Sequence, residues 1–492
     1  MLGYAIVLLV AINLIAQLRF LILCVVMGLK RAREIVTVAE TVESPKVAIQ
    51  IATYREALIL PRLLKSIMEL DWPGDRMTVQ ILDDSVGADA AATKKTVEEF
   101  ASNGVHFEYI NRQSRAGFKA GALNHGLETA QDIDLIAYFD ADCRPRPDFL
   151  KRIVPQFQDV NVAGVQARWE YPNGAVSPLT MAQQAAFEYL FRYEYGVRHL
   201  LGSPVFYLGS SAVWRRQAME QLGGWRISRF TAEDVDLGCR AGNAGWKVLY
   251  EPTVLADDDA LEEILAFRAQ QRRWACAVSQ AGLDAAHGLL NAPRSFLGRL
   301  VDVTGLLPHA TIPLTMITAV LIAIDTLLGS PEGPLVHYSK WVFALFVVMP
   351  PSIVAMFLAN RYFHPRHWTS HMRLLALAGP VAAATMTSFI FGFADLLRKR
   401  AEFIATPKAG QVPVAKESRW RWLSMHYTPL IFDGVIMVVL LLAAGLAVRR
   451  GLLGSAISTG VLGAAYLGSL VQSIAAIRRH RTNLATRGQT SK

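Results

Sequence analysis

Residues 135–142 read Leu-Ile-Ala-Tyr-Phe-Asp-Ala-Asp, an apolar run that ends in two carboxylates one residue apart. Five such residues bounded by turn formers predict a buried strand. In extended chain, residues two apart point to the same side, so Asp140 and Asp142 can meet one ligand. Hard oxygen ligands of this kind suit Mg²⁺ or Mn²⁺, which also bind phosphate oxygens and neutralise a departing diphosphate. Working outward, short apolar runs at 47–53, 79–82, 106–110 and 162–166 predict further strands. Amphipathic periods at 57–70, 89–102, 118–131 and 147–158 predict helices between them. Strand–helix alternation gives an α/β class with a mostly parallel central sheet, whose ligands bind beyond the carboxyl ends of the strands.

The residues just after each strand are therefore informative. Thr53-Tyr54-Arg55-Glu56 succeeds the first and Asp83-Asp84-Ser85 the second, while Thr231-Ala232-Glu233-Asp234 stands further on. A single Asp at a strand end is commonly a turn or cap. Several acidic clusters on one sheet edge repel one another unless a cation or a donor-rich ligand lies between them. Lys119, flanked by Gly117 and Gly121 at the start of a predicted helix, offers a point cation and close backbone approach, suited to phosphate or ribose. Its plainer reading is an exposed lysine at a helix start. Gln270, Arg273 and Trp274 fall at i, i+3 and i+4 of a helix predicted over 261–278, so they share one face. The indole offers a stacking plane and the guanidinium paired donors for an anion. An interfacial helix with ordinary Trp and Arg anchors reads equally well.

Composition sets the surroundings. The chain has 492 residues, 52% of them hydrophobic and 18% charged, with mean hydropathy +0.27. A soluble domain usually carries about 25% charged residues. Residues 31–296 read like a soluble enzyme, and the shortage of charge lies in the flanks. A wholly soluble protein, a disordered chain and a bundle made only of membrane helices are excluded. The net charge of +9 comes largely from basic residues beside apolar runs, namely Lys30, Arg31 and Arg33, Arg398–Arg400, and Arg478, Arg479 and Arg481. Such charge marks the cytoplasmic side of a membrane rather than a nucleic-acid partner. Four cysteines without metal spacing fit a reducing compartment. Runs at 2–28, 303–328, 341–359, 428–448 and 453–477 have spanning length. A sixth run, 372–394, contains Gly379-Pro380 with many Ala, Thr and Ser residues, and reads as an interfacial helix. Crossing there would turn the basic stretch 398–421 outward. Arg449-Arg450 then falls in a short outer turn, against the charge rule.

Together Asp83, Asp140 and Asp142, Asp234, and Gln270, Arg273 and Trp274 resemble the D, D, D, Q-x-x-R-W signature of membrane-embedded, processive family-2 glycosyltransferases. These are the cellulose, chitin, hyaluronan and glucomannan synthases. The likeness covers roughly residues 45–280. Phe403-Ile404-Ala405-Thr406-Pro407-Lys408 is similar to the gating loop of cellulose synthases and extends it to about residue 410. Lys119–Leu123, Ala232–Leu237 and the Gln270-Gln271 pair look most like plant cellulose-synthase-like A glucomannan synthases and their bacterial relatives. Ala232 replaces the usual Thr before Glu-Asp, and Ala405 the usual Val of the loop.

The resemblance implies a GT-A-like nucleotide-sugar-binding domain inserted between transmembrane helices. Its boundaries are a membrane anchor at 1–30, the cytosolic glycosyltransferase domain at 31–258 and interfacial helices with Gln270–Trp274 at 259–300. Two spans come next at 301–360, then the interfacial helix and gating loop at 361–427, two more spans at 428–478, and a basic cytosolic tail at 479–492. The implied reaction is an inverting hexose transfer from UDP-glucose or GDP-mannose to a growing β-linked polysaccharide, which the chain extrudes. Asp234 is the implied base and Glu233 lines the acceptor end. Thr53, Tyr54, Glu56, Asp83, Asp84, Lys119 and Asp140 hold the nucleotide-sugar, and Asp140 and Asp142 hold Mg²⁺ or Mn²⁺. Gln270, Arg273 and Trp274 contact acceptor and diphosphate. Phe403, Thr406 and Lys408 close over the donor, and 207–211 contacts the acceptor. The implied setting is an inner or plasma membrane with lipid bilayer as a partner and no nucleic acid. The absence of a cyclic-dinucleotide domain argues against cyclic-di-GMP control. Transfer of a single sugar to a diacylglycerol or ceramide uses the same residues and remains open. A transporter reading lacks both intramembrane charge, apart from Asp325 and Asp433, and a G-x-x-x-x-G-K-[ST] loop.

Overall fold

The computed structural model describes residues 1–29, 44–101, 105–112, 114–206, 209–227, 232–305, 308–329, 332–398 and 419–490. Among the described residues eight strands form one sheet: β1 (Val47–Thr53), β2 (Met77–Asp83), β3 (His106–Asn111), β4 (Leu135–Phe139), β5 (Arg144–Pro145), β6 (Val162–Glu170), β7 (Ala212–Arg215) and β8 (Lys247–Asp257), in the order β3-β2-β1-β4-β7-β6-β8-β5. β3, β2, β1 and β4 are parallel, and β7 runs antiparallel to both β4 and β6. The apolar runs at 47–53 and 135–139 become strands with the expected bounds, while the β2, β3 and β6 runs extend beyond theirs.

β5, β7 and β8 have no counterpart among the expected strands. β5 and β7 are too short, at two and four residues, to carry an alternation signal. β8 carries Pro252 within its run, and its pairing with β6 shifts register between Ala167 and Arg168.

Alternation decides which helices cover the sheet. Val47, Ile49 and Ile51 pack with Leu60, Leu63, Leu64 and Ile67, whereas Ala48, Ile136 and Tyr138 pack with Leu123, Leu127, Trp214 and Trp225. Strands so covered on both sides read as continuous apolar runs. The parallel register also aligns strand ends, with Thr53 opposite Asp83 and Asp83 opposite Asn111. Inside the sheet, Gln50 donates to Gln80 (3.1 Å) and Gln80 to Glu108 (2.9 Å), a polar ladder within an otherwise apolar layer.

Among the described residues, five helices are long and apolar enough to cross a membrane: Leu2–Leu29, Pro334–Phe363, Gly379–Leu397, Tyr427–Arg449 and Leu453–Arg479. Four of these overlap runs expected to span, and the fifth overlaps the run 372–394. The run 303–328 falls on helix Phe296–Thr304 and the 21-residue helix Pro308–Leu328. Gly379–Leu397 has spanning length as well. Its Thr and Ser content, which suggested an interface, is satisfied locally or by the bundle. Thr385 donates to Val381 O (2.9 Å), Ser388 to Ala384 O (2.7 Å) and Thr387 to Asp433 (2.6 Å). The basic pair at 449–450 also has a structural reason, because Arg450 donates to Thr326 O at the end of helix Pro308–Leu328 (2.5 Å).

The sheet domain is tied to these helices by charged groups. Arg19 of the first helix pairs with Glu194 (2.7 Å), and the buried Arg198 bridges Glu194 and Asp302 (3.0 Å each). A second tie joins Glu188 to His364 (2.6 Å) and Asn360 (2.8 Å). The four cysteines are unpaired.

Candidate active site

The carboxyl ends of β1, β2 and β4 open on one side of the sheet, and the predicted residues gather there. Lys119 begins helix Phe118–Thr129, entered through the left-handed Gly117 (φ 73°). Its ammonium donates to Asp140 (2.6 Å) and to the Gly209 carbonyl. Ser210 Oγ accepts the Asp140 backbone N–H (2.9 Å), so the 209–211 turn fixes the end of β4. Gly209 has φ 85°, and a Cβ there would lie 3.6 Å from Asp234 Oδ2 and 3.7 Å from Lys119 Nζ. Both side chains therefore border the space over Gly209. Tyr207 and Leu208 of the same segment, and Phe403, Thr406 and Lys408 of the gating match, lie outside the described residues.

Glu233 and Asp234 occupy the first turn of helix Glu233–Asn243, where the helix dipole favours negative charge. Ala232 precedes them and contributes no side-chain cap. This helix packs Val235 and Cys239 against Ala277, Ala281, Ala285 and Leu289 of helix Ile264–Asn291. Small residues along that seam bring the two helices close. They set Arg273 within electrostatic reach of Glu233, Asp140 and Asp234.

Burial pulls Arg273 down from its ordinary value against the pull of those three carboxylates. Burial also opposes the Lys119 charge, but Asp140, Glu233 and Asp234 outweigh it and hold the ammonium above its ordinary value. Asp234 is pushed up to about 8, first by burial and then by the like charge of Glu233, with Lys119 opposing. A carboxyl poised near operating pH is what a general base requires.

Trp274 meets Phe187 edge-on, with ring centroids 6.1 Å apart, and Phe187 lies 5.3 Å from Trp169 and 5.5 Å from Tyr171. These rings form an aromatic wall of which the sequence pattern had pointed only to Trp274. Gln270 lies on the same helix and accepts weakly from Gln271 (3.4 Å).

The residues expected to hold the nucleoside lie across β1–β3. Thr53 Oγ1 is buried without a hydrogen-bond partner among the described residues. The Tyr54 ring is covered by the Arg115 guanidinium at 3.5 Å. The Glu56 carbonyl starts the turn into helix Leu60–Met68, accepting from Ile59 (3.0 Å) and Leu60 (3.1 Å). Asp83 accepts from the Ser85 N–H (2.8 Å) and from Tyr109 OH (2.9 Å).

Asp84 forms a two-point pair with Arg112 (2.7 and 2.6 Å), and Arg112 also donates to the Phe118 carbonyl (3.1 Å). In this structure Asp84 thus anchors the turn that presents Lys119. Arg112, Arg115 and Tyr109, which the sequence pattern does not single out, thus contact three of the expected residues. The signal for the arginines was Asn111-Arg112-Gln113-Ser114-Arg115, directly after β3.

Among the described residues no three His, Cys, Asp or Glu side chains come together as a metal cage. Mg²⁺ and Mn²⁺ on diphosphates need none, because one or two carboxylates plus phosphate oxygens and water suffice. Asp142 lies within electrostatic reach of Tyr171 together with Asp258, which keeps two carboxylates near that aromatic wall. Asp140 and Asp142 supply only hard oxygen donors, so the residues present fit such an ion.

A helix-covered, mostly parallel sheet with these groups at its carboxyl edge defines a nucleotide-sugar-binding glycosyltransferase of the GT-A type. The profile described as Glycosyl transferase family group 2 matches residues 135–406, more than half of the chain, and the chain belongs to that family. It is 39% identical over 238 residues to probable glucomannan 4-beta-mannosyltransferase 7 of Oryza sativa subsp. japonica, covering 48% of this chain and 40% of that protein. It is 36% identical over 239 residues to glucomannan 4-beta-mannosyltransferase 2 of Arabidopsis thaliana, covering 47% and 44%. The match thus spans less than half the length of these relatives. Among solved structures, a mannosyltransferase from Pyrobaculum calidifontis in complex with GDP-Man and Mn²⁺ aligns with TM-score 0.60 at 18% identity. That alignment covers 81% of this chain and 100% of the other, a likeness of fold.

Proposed function

We propose that this chain is an inverting, membrane-embedded hexosyltransferase that extends a β-linked polysaccharide, with GDP-mannose as its first candidate donor and UDP-glucose as its second. The observation that carries the reading is the convergence of Asp234, raised to about 8, with Lys119, Asp140, Glu233 and Arg273 at one sheet edge. The preference for mannose rests on the named activity of the plant relatives.

In this reading the acceptor hydroxyl lies over Gly209 and gives its proton to Asp234 as its oxygen attacks the anomeric carbon. The new C–O bond forms opposite the breaking bond to phosphate, so the anomeric configuration inverts. The electron pair leaves with the nucleoside diphosphate. Arg273 and Lys119 stabilise that growing charge, at the place where fixed donors act most strongly on rate. Thr53, Tyr54 and Asp83 hold the nucleoside. Glu233 lines the acceptor end and keeps the Asp234 pKa high, while Trp274 stacks on the acceptor sugar. Asp142, with Asp140, would hold Mg²⁺ or Mn²⁺, which neutralises diphosphate charge when bound. The apolar helices carry the polymer outward from a catalytic domain on the basic, cytosolic side.

The test uses purified full-length chain in lipid nanodiscs with Mn²⁺ or Mg²⁺ and radiolabelled GDP-mannose or UDP-glucose. Ethanol-insoluble label that Asp234→Asn abolishes supports the reading and names the sugar. Label confined to the organic phase would replace polysaccharide synthesis with transfer to a lipid. Label in neither phase from any nucleotide-sugar would sink it.

A further inference from the structure

Helix Ile264–Asn291 carries two consecutive arginines that serve different neighbours. Arg273 faces the carboxylates of the site. Arg272, about 100° further round the helix, forms a two-point pair with Asp395 of helix Gly379–Leu397, at 2.5 Å from Nε and 2.7 Å from Nη2. The pair is largely shielded, with 25% and 19% of the two side chains exposed. The Arg272 guanidinium also lies 5.4 Å from the Phe391 ring centre.

Directly beside the pair the two backbones touch. A Cβ on Gly392 would lie 2.5 Å from the Arg272 carbonyl oxygen and 2.8 Å from Ala275 Cβ, so only glycine fits there. One turn before Arg272, Arg268 pairs with Asp433, which also accepts from Thr387 of helix Gly379–Leu397 (2.6 Å). One side of the helix is therefore held at successive turns, while the adjacent side presents Arg273.

A bidentate guanidinium–carboxylate pair fixes orientation as well as distance. Rotation of the helix about its axis would carry Arg273 away from Asp140 and Asp234, because both arginines are rigidly joined through one backbone. We propose that Arg272 and Asp395, with Gly392 beside them, are positioning residues that set the roll of this helix and so aim Arg273 at the donor diphosphate. The proposal rests on the proposed role of Arg273 in stabilising the leaving diphosphate. It assigns to the membrane-side helix Gly379–Leu397 a share in donor affinity.

The experiment measures donor KM, kcat, acceptor KM, inhibition by free GDP or UDP with Mn²⁺, and melting temperature, all on full-length protein in nanodiscs. A misplacement of about 1 Å costs on the order of a hundredfold in rate. Asp395→Asn, Arg272→Lys and Gly392→Ala are therefore each expected to raise donor KM and the inhibition constant about tenfold or more. Acceptor KM should stay unchanged. Arg272→Lys keeps the charge but loses the paired geometry, and Gly392→Ala keeps both charges while forcing the helices apart. The exchange Arg272→Asp with Asp395→Arg is expected to restore most of the nucleotide affinity. Variants that melt earlier with unchanged donor KM and inhibition constant would show a structural staple and overturn the proposal. An exchange variant that folds without regaining affinity would overturn it too. A wild-type protein that neither binds a nucleoside diphosphate nor turns over would instead remove the functional reading itself, and this proposal with it.

Discussion

Asp234 gives the most direct test of the chemistry. With its pKa pushed up to about 8 by burial and by Glu233, about one-tenth of the free enzyme carries the base form at pH 7 and about half at pH 8. Because kcat/KM reports the ionisations of the free enzyme, it should climb about tenfold per pH unit below 8 and level off above it. Glu233→Gln removes the like charge and should move the midpoint down, whatever it does to the plateau. Lys119→Met removes the opposing cation and should move it up. Asp234→Asn should cost on the order of 10²- to 10⁴-fold, or about 3–5 kcal/mol of barrier.

The assay is the initial rate of polymer incorporation at low donor from pH 5.5 to 9.5, with melting temperatures recorded at each pH. The same group acts on stability with a defined sign. Its folded pKa lies above the unfolded 3.8, so its contribution is fully present below that value and is lost as pH rises through about 8. Asp234→Asn should therefore resist alkaline melting while losing activity. A profile that is flat over this range, a midpoint near 4, or an upward shift in Glu233→Gln would refute the assignment.

The ties between domain and helices, and the aromatic wall, give three further outcomes. Arg198→Ala leaves Glu194 with Arg19 alone and Asp302 with Arg294 alone in a buried site, and should cost up to about 3–5 kcal/mol in denaturant titration of detergent-solubilised protein. A loss under about 1 kcal/mol would mean that water replaces the guanidinium. His364 is held above 6.5 by its hydrogen bond to Glu188, which outweighs burial. Its stabilisation is present below pH 6.5 and fades as pH rises through the raised value. The groups that face it are Glu188, Gln184, His371, Glu170 and Arg168. His364→Gln should flatten the melting-temperature profile between pH 6 and 8.5, and an unchanged slope would assign it to another group. Trp274→Ala removes the edge-on contact with Phe187 and should raise acceptor KM while leaving donor KM nearly unchanged. Equal rises in both would place the indole elsewhere.

Local order in the chain settled the strand cores, the helix that begins at Lys119 and the acidic strand ends. Each depends on a handful of adjacent residues: an apolar run, a glycine that permits a left-handed entry, a carboxylate where pairing stops. The same order made Gln270, Arg273 and Trp274 neighbours on one helix face. It left open whether that face met a substrate or a membrane surface.

Only packing of distant elements brings Arg273 to the carboxylate edge, because its reach to Glu233 and Asp234 depends on the alanine seam between two helices. Tertiary structure also placed the isolated strands β7 and β8 in the sheet and covered Tyr54 with Arg115. It turned Asp84 toward Arg112, and satisfied the Thr and Ser of Gly379–Leu397 within that helix and against Asp433. The pKa of Asp234 is likewise a property of the assembled site, since desolvation and the fields of Glu233 and Lys119 exist only once β4, two helices and the Gly209 turn have closed on one another.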